Sequence, residues 1–475
     1  MALHSTRKTP QAGKVSSSIS DLEHIFYNYT SGRWLYNERL RLSERRRHFD
    51  IHELCQAVAK MDVIVRIPYP STIPREYGIV SEVATMEYLR LHGVPIPKVF
   101  DWCSSSDNPV RSEYIIMEKV QGFALGLPLN FFGGIKDETN WPSIEDLVRH
   151  QHSVFRSLTI NWKDVGETPK DLLEAVGHRE LAWLQKFGKQ RFPREPLYRE
   201  FYDHQEVDPQ VQVDSLRDYL KVAAHIVPED PELCQPTIRH LDLSPSNILV
   251  SESGDITGVI DWQHSTILPI FLQAKIPKHF QNYGDNDSES FRRPELPTNF
   301  DLLEQSEKAN ELELYRRRQL HYFYLGYTST NNKPHFHAMG KHDLIVRSRL
   351  YDTAGRPWEG DNASLKAELV QMSTYWPDIA ISAMKEAKFP VKYPDADVAD
   401  CLNIDAKQKI ADAQMQRLRD FIGVNIDGWV PKESYEEARE KERYTKQQML
   451  EAAETEEERK ELDEYWPFQD HEELD

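Results

Sequence analysis

The sequence predicts an α+β fold with a small β-rich lobe, a larger helical lobe and a helical, acidic C-terminal tail. A strand–helix–turn–strand order runs from Val63 to Glu118, and a mostly helical stretch follows from about residue 143 to residue 224. Two short apolar strands joined by a turn come next, at Ile248–Val250 and Gly258–Ile260. Glu, Lys, Arg and Ala dominate the residues from 434 to about 465. This order of elements is the basis of the predicted fold class.

The small lobe is predicted from three elements and their boundaries. Val63–Ile67 is a β-branched run that Pro68 ends, which is typical of a strand. Ser81–Leu91 carries apolar residues at helical spacing. Tyr114–Glu118 reads as another strand, and Gly122 then breaks the chain.

The larger lobe is predicted to be mainly helical. Asp146–Leu158 and Leu172–Phe187 are each expected to form a helix, and the aromatic segment Gln319–Tyr327 is expected to be buried. A further helix is predicted by a core-facing apolar stripe at Ala411, Met415, Leu418 and Ile422. In the tail, Glu and Lys at i,i+4 spacing predict a solvated helix, with an acidic interaction arm as the functional alternative.

These patterns predict five segments along the chain. They are a disordered or transit-like N-terminus (1–20), an N-terminal extension (21–48), an incomplete small lobe and hinge (49–121), a mainly helical large lobe (122–430) and an acidic helical tail (431–475).

The charge of the chain limits its partners. The 475 residues carry a formal net charge of −19, and about half of it lies in the tail, with 17 acidic and 7 basic residues from Lys432 to Asp475. Clustered Lys and Arg favour binding to nucleic acid or anionic membranes, so we expect neither partner. No apolar run reaches the 18 or so residues of a membrane span. The four cysteines are far apart and read as free thiols.

One motif carries most of the chemical information. His240, Asp242 and Asn247 follow the pattern H-x-D-x-x-x-x-N, and Asp261 lies at the end of the strand pair that follows. Transfer of a phosphoryl group from a nucleotide requires a base for the acceptor hydroxyl and oxygen ligands for Mg²⁺. Asp242 can be the base, and Asn247 and Asp261 can supply hard oxygen ligands. His240 is expected to orient the loop through hydrogen bonds.

The polar residues allow other interpretations. Asp242 and Asn247 could simply cap a turn through hydrogen bonds from side chain to backbone. His335-Phe336-His337 with His342 could bind a metal, but no acid or Cys is spaced to complete the shell. The signature motifs of α/β-hydrolases, zinc proteases and P-loop proteins do not occur in the sequence.

A cation for the nucleotide phosphates, steadied by a helix carboxylate, is the second requirement of this chemistry. Arg66 lies in the middle of the first predicted small-lobe strand, and Glu82 lies near the start of the next helix. We expect them to form an ion pair, although Glu82 could also be an ordinary acid at a helix N-terminus. Met117, Glu118 and Val120 are expected to form the hinge that holds the base of ATP.

These motifs resemble the aminoglycoside phosphotransferase family, and more closely the fungal "altered inheritance of mitochondria" phosphotransferase-like proteins. The resemblance implies a bilobal protein-kinase-like fold, ATP and Mg²⁺ as cofactors, and transfer to a hydroxyl of an unknown small molecule. It also implies Arg at the position of Arg66. The segments that carry it are Thr30 to Asn37, Arg66 to Pro70, Ser81 to Met86, Ile238 to His240, Ile260 to His264 and Trp358 to Asn362.

The sequence departs from the family at the start of the small lobe. Two strands joined by a glycine-rich loop need roughly 30 residues before the third strand. Only 13 residues separate Phe49 from Val63, they contain no glycine, and their apolar spacing is helical. Gly32 is the one glycine in the segment before them. Either an exon is missing from this sequence, or the chain is a catalytically weak, pseudokinase-like binding or regulatory protein linked to mitochondrial maintenance.

The first 20 residues carry Arg7, Lys8 and Lys14, several Ser and no acid, which fits a mitochondrial transit peptide. Pro10 and Gly13 interrupt any amphipathic helix, so an ordinary disordered N-terminus is the alternative. We expect a mitochondrial location if the first 20 residues are a transit peptide, and a cytoplasmic location if they are not. The acceptor and the oligomeric state cannot be read from the sequence, because fold does not determine substrate.

Overall fold

A computed structural model describes residues 31–59, 61–69, 75–125, 158–159, 168–240, 242–361, 363–380 and 388–470. The described residues divide into two compact units. Unit 1 takes its residues from 47–166 and 230–345, and unit 2 from 31–46, 167–229 and 346–470. Each unit is assembled from segments distant in sequence, whereas the five segments predicted above are continuous; those boundaries remain predictions.

The helices of the described chain are α1 (Glu38–Arg45), α2 (Ile51–Ala57), α3 (Arg75–Leu91), α4 (Pro169–Phe187), α5 (Gln210–Val222), α6 (Ile270–Gln273), α7 (Asn286–Glu289), α8 (Gln305–Asn331), α9 (Lys333–Met339), α10 (His342–Ala354), α11 (Ala363–Ile379), α12 (Asp395–Ile422), α13 (Tyr435–Ala452) and α14 (Glu456–Glu464). Short 3₁₀ turns include Pro245–Asn247 and Lys278–Phe280.

The strands are β1 (Gly32–Trp34), β2 (Val63–Arg66), β3 (Val99–Cys103), β4 (Tyr114–Glu118), β5 (Phe123–Ala124), β6 (Leu158–Thr159), β7 (Pro236–Ile238), β8 (Ile248–Val250), β9 (Ile256–Val259), β10 (Ile267–Pro269) and β11 (Trp429–Pro431). They form small antiparallel sheets in the orders β2-β4-β3, β5-β8-β9, β10-β7-β6 and β1-β11. Helices with small sheets confirm the α+β class.

In unit 1, the sheet β2-β4-β3 and helix α3 share one hydrophobic core. Val83, Met86 and Leu89 of α3 are all buried in it, which confirms the helical stripe predicted for Ser81–Leu91. Ile115 and Met117 of β4 pack in the same core. The predicted strands at 63–67 and 114–118 are confirmed as β2 and β4, which pair from Val63 with Glu118 to Arg66 with Ile115.

The start of the small lobe is helical, as the apolar spacing indicates. Ile51–Ala57 forms α2, with the side chain of Asp50 accepting a hydrogen bond from the backbone N–H of Glu53 at 3.0 Å. Among the described residues, β2 is an edge strand with β4 as its partner. Gly32 lies in β1 of unit 2, where an added Cβ would meet the backbone of Val430.

In unit 2, the tail is part of the core. The helical tail predicted from Ser434 to about Tyr465 is present as two helices, α13 and α14, and the residues that follow them are buried. Trp466 and Phe468 are each only 2% exposed and pack with Tyr36 and Met415. A highly charged segment thus buries Trp466 and Phe468, since large aromatic groups gain the most from leaving water.

Other predictions have mixed outcomes. The helix at Leu172–Phe187 is confirmed within α4, and the stripe ending at Ile422 is confirmed on α12. In the aromatic segment of α8, Tyr324 is buried. Residues 146–157 of the helix predicted at 146–158 and the transit-like segment 1–20 lie outside the described residues. Leu158, the last residue of that predicted helix, lies in strand β6. Within the described residues, none of the helices is both long enough and apolar enough to span a bilayer.

Candidate active site

The strand pair β8–β9 positions two of the candidate residues in unit 1. Asn247 directly precedes β8, and its backbone carbonyl accepts a hydrogen bond from the N–H of Ile260 at 2.9 Å. Asp261 follows, with a left-handed φ of 67°. An aspartate tolerates this conformation better than most residues. The buried strands therefore hold Asn247 and Asp261 at neighbouring ends of one hairpin.

Asp242 lies on the exposed loop before this hairpin. Its side chain is 68% exposed. The Asn247 amide Nδ2 donates to the Asp242 backbone oxygen at 2.9 Å and to its carboxylate Oδ2 at 3.3 Å. This contact connects the two ends of the loop through the Asn247 amide nitrogen, and it does not use the Asn247 amide oxygen. The carboxylate of Asp242 is thus accessible to a reactant.

His240 is buried beneath the loop. Its Nε2 is 2.8 Å from the carbonyl oxygen of Ile260, and since a carbonyl only accepts, Nε2 carries the proton. The ring packs edge-on against Trp262 with centroids 4.7 Å apart. Burial lowers the pKa of His240 below its usual value. The neutral ring therefore ties the segment before Asp242 to the segment before Asp261.

Arg66 connects the sheet, helix α3 and the hairpin. Its Nη1 is 2.7 Å from a Glu82 carboxylate oxygen and 3.2 Å from Asp261 Oδ1, and its Nη2 donates to Gln263. Glu82 is only 4% exposed. Burial raises the pKa of Glu82 to about 6; Arg66 works against this rise and Asp261 adds to it. The ion pair expected between Arg66 and Glu82 is present.

The segment expected to be a hinge is placed mainly by backbone and core contacts. The side chain of Met117 is buried among α3 and β9 residues. The N–H of Glu118 donates to the Lys98 carbonyl at 2.8 Å, and its carboxylate accepts from the Lys98 N–H at 3.0 Å. Val120 packs directly on Gly258, where a Cβ would lie 2.9 Å from a Val120 methyl group. A role of this segment in holding a base stays a prediction.

Two further residues reach the site without having been assigned a role from the sequence. Gln263 accepts from Arg66, and His279 Nε2 is 3.9 Å from Asp242 Oδ1. Gln263 lies two residues after Asp261, so its proximity to the motif could have identified it as a site residue from the sequence. His279 is 37 residues beyond Asp242 in sequence, and only the tertiary structure brings it close.

The donor set suits a magnesium ion. Mg²⁺ takes one or two protein oxygen ligands and keeps water and phosphate oxygens for the rest of its shell. Asp261 is 37% exposed and has one carboxylate oxygen outside the ion pair with Arg66. The amide oxygen of Asn247 is a second hard donor. Among the described residues, no three His, Cys, Asp or Glu side chains converge into a complete protein cage.

The site thus contains an exposed aspartate, two oxygen donors and an arginine–glutamate pair, and these residues can be compared with known proteins. Residues 153–271 match the sequence model of the phosphotransferase enzyme family, and they contain His240, Asp242, Asn247 and Asp261. The resemblance predicted from the motifs is confirmed.

The similar curated proteins are fungal. A subtelomeric hrmA-associated cluster protein of Aspergillus fumigatus is 27% identical over 83% of this chain and 89% of its own length. The mitochondrial "altered inheritance of mitochondria protein 9" of Saccharomyces cerevisiae is 24% identical over 79% of this chain and 70% of its own.

Among solved structures, a Plasmodium vivax ethanolamine kinase is similar at 14% identity, covering 72% of this chain and 95% of that one, with a TM-score of 0.31. An aminoglycoside phosphotransferase of Alicyclobacillus acidocaldarius is similar at 12% identity, covering 72% and 83%, with a TM-score of 0.25. Similarity at these scores bears neither on the fold nor on the substrate.

Proposed function

We propose that this chain is an ATP- and Mg²⁺-dependent phosphotransferase that acts on a hydroxyl group of a small molecule. The observation that carries the proposal is the constellation of Asp242, Asn247, Asp261, Arg66 and Glu82 in one unit. The family match over residues 153–271 supports the reaction class, and none of the comparisons identifies the acceptor. The bilobal kinase-like arrangement is part of this proposal.

The residues take the following roles. Asp242 accepts the proton of the acceptor hydroxyl while the oxygen of that hydroxyl attacks the γ-phosphorus of ATP. The bond between this phosphorus and the ADP oxygen breaks. His240 keeps the loop in register through its hydrogen bond to Ile260. Mg²⁺ held by Asn247 and Asp261 would neutralise charge on the phosphate oxygens. Arg66, fixed by Glu82, supplies a planar cation for phosphate.

Met117, Glu118 and Val120 are proposed as the hinge beside the base of ATP, acting through backbone groups other than the Glu118 N–H, which already donates to the Lys98 carbonyl. The burial of Met117 among core residues favours a backbone role over a side-chain contact. The small molecule and the nucleotide are the proposed partners. The mitochondrial names of similar yeast proteins support a mitochondrial location for this chain.

A second candidate function is favoured by the start of the small lobe. Residues 51–57 form helix α2, and the described residues provide no strand beside the free edge of β2. Without backbone N–H groups over the γ-phosphate, positioning is lost, and positioning supplies most of the rate of phosphoryl transfer. The alternative is a pseudokinase-like protein that binds nucleotide and turns it over weakly.

Substitution of Asp261 tests the metal assignment. We expect Asp261→Asn to weaken the binding of MgATP by at least about ten-fold, as loss of a metal-binding carboxylate does. Titration calorimetry with and without Mg²⁺ measures this. Asp255→Asn is the matched control, because it removes the same charge from the turn of the same hairpin. Equal MgATP affinity in both variants would contradict the assignment.

A further inference from the structure

Unit 2 contains a partly open cavity that the proposed phosphotransferase chemistry does not use. Its volume is about 670 Å³, which lies within the range of small-molecule sites. The lining residues come from segments 194–198, 349–368 and 405–412 together with Gln212 and Ile426, all of which belong to unit 2.

Part of the wall is the Trp358–Asp361 segment, which was singled out in the sequence and has no role in the phosphotransferase site. Gly360 has a φ of 78°, and an added Cβ would overlap the backbone of Phe192. The Trp358 indole N–H donates to the Lys189 carbonyl at 3.1 Å. Glycine is therefore required at this position, and the segment holds one side of the cavity rigidly.

Asp361 is the polar centre of that wall. Its Oδ1 accepts from the Tyr202 hydroxyl at 2.7 Å, from the Gln408 amide at 2.8 Å and from the N–H of Ala363 at 3.0 Å. These donors come from three different segments of unit 2, so the wall is built from tertiary contacts.

The lining is rich in acceptors and carries an excess of negative charge. Seven carboxylates and four basic side chains face the cavity. Three of the four basic groups already form ion pairs with lining carboxylates and are not available to an anion: Arg194 with Glu359, Arg349 with Glu368, and Lys409 with Asp405. The cavity thus favours a cation.

Four buried acceptor oxygens in the lining have no hydrogen-bond donor among the described residues, and they belong to Glu195, Gln212, Glu368 and Gln408. Gln408 is 3% exposed, and because its Nε2 donates to Asp361, the unpaired atom is its Oε1. Glu368 is 7% exposed; one of its oxygens pairs with Arg349 and the other has no hydrogen-bond donor among the described residues. A buried acceptor without a donor costs folding free energy, which a ligand N–H can recover.

We infer that this cavity binds a small organic cation that carries two or more amino or guanidino groups. The negative lining favours a cation, the unpaired acceptors favour N–H donors, and the volume favours a ligand larger than a bare ion. A metal ion fits less well, since the described residues contain no group of three His, Cys, Asp or Glu that could hold one. The lining residues all belong to unit 2, whereas the proposed nucleotide site belongs to unit 1.

The test uses the full chain and spermidine as the probe, with titration calorimetry at low and at physiological salt. We expect saturable binding with one site. Glu368→Gln and Gln408→Leu should each weaken it at least ten-fold. Asp420→Asn is the matched control, because it lies on the same helix as Gln408, is exposed and does not line the cavity; it should change the affinity less than two-fold.

Asp352→Asn keeps the test decisive if the buried variants do not fold. Asp352 lines the cavity from an exposed position, so the variant should fold, as circular dichroism can verify, and should weaken spermidine binding at least three-fold. Absence of saturable binding at millimolar spermidine would overturn the inference. So would equal weakening by Asp420→Asn, which would reveal diffuse attraction to an acidic chain, or displacement of spermidine by equimolar Mg²⁺.

Discussion

Charged groups are used differently in the two units. In unit 1, Asp242 and Asp261 of the candidate active site remain accessible, and Glu82 of the same site is deeply buried beside Arg66. In unit 2, Glu368 and Asp405 are over nine-tenths buried and depend on basic partners. An accessible charge can reach a reactant, and its removal changes the free energy of unfolding little. A buried charge requires a partner of opposite charge.

The largest effect on stability is expected where unit 2 buries its tail. Trp466→Ala should lower the free energy of unfolding by about 3–5 kcal/mol, because it leaves a large cavity and deprives Glu442 of the indole N–H that donates to it at 2.8 Å. Urea unfolding measures this, with Tyr444→Ala, a 59% exposed aromatic of α13, as the control. A loss below about 1 kcal/mol would restore the expectation of a solvated tail.

The exposed site in unit 1 should respond in the opposite way. Asp242→Asn should lower turnover on the order of 10² or more, since general-base catalysis is lost. The free energy of unfolding should change by no more than about 0.5 kcal/mol, as at other exposed positions. Steady-state kinetics and urea unfolding on the same preparation measure both. Unchanged turnover would contradict the role of Asp242 as the base.

Substitution of Arg66 tests the contribution of the buried Glu82 carboxylate in the candidate active site. Arg66→Ala should destabilise the protein by about 2 kcal/mol, less than the 3–5 kcal/mol of a fully buried pair because Arg66 remains partly exposed. The loss arises from leaving the Glu82 carboxylate without its cation.

The double variant Arg66→Met with Glu82→Leu supplies the control, because it removes both charges and keeps apolar volume. Most of the stability should return in urea unfolding near pH 7.5. A double variant as unstable as Arg66→Ala would show that packing, and not the uncompensated charge, causes the loss.

The smallest effect is expected at a charge pair away from the site. Arg318 lowers the pKa of Asp285 to about 2, and its Nη2 is 2.6 Å from the Asp285 carboxylate. Because the pKa of Asp285 is lower in the folded protein than in the unfolded chain, the ion pair stabilises the folded state fully at pH values above the unfolded pKa of about 3.9. This stabilisation is lost as the pH falls towards 2.

Asp285→Asn should therefore cost about 1 kcal/mol at pH 7 and should flatten the fall in stability between about pH 5 and pH 2. Asn also caps a helix N-terminus, so α7 should persist. Urea unfolding across this pH range measures both effects. An unchanged pH profile would show that the pair with Arg318 does not contribute.

The sequence located much of the candidate site because its signals are local. The spacing from His240 to Asn247 and the strand that ends before Asp261 follow from short-range pattern. The stripe of Val83, Met86 and Leu89 predicted the buried face of α3. Each of these relations holds within one or two elements, where the period of the chain decides which side chains share a face.

The sequence by itself determined the α+β class, the H-x-D-x-x-x-x-N motif, the pairing of Arg66 with Glu82 and the helical start of the small lobe. Only the tertiary structure decided that His279 lies beside Asp242, that Trp466 and Phe468 enter a core, and that Asp361, Glu368 and Gln408 meet around a cavity. Contacts between distant segments depend on how whole elements pack, and no local period records that packing.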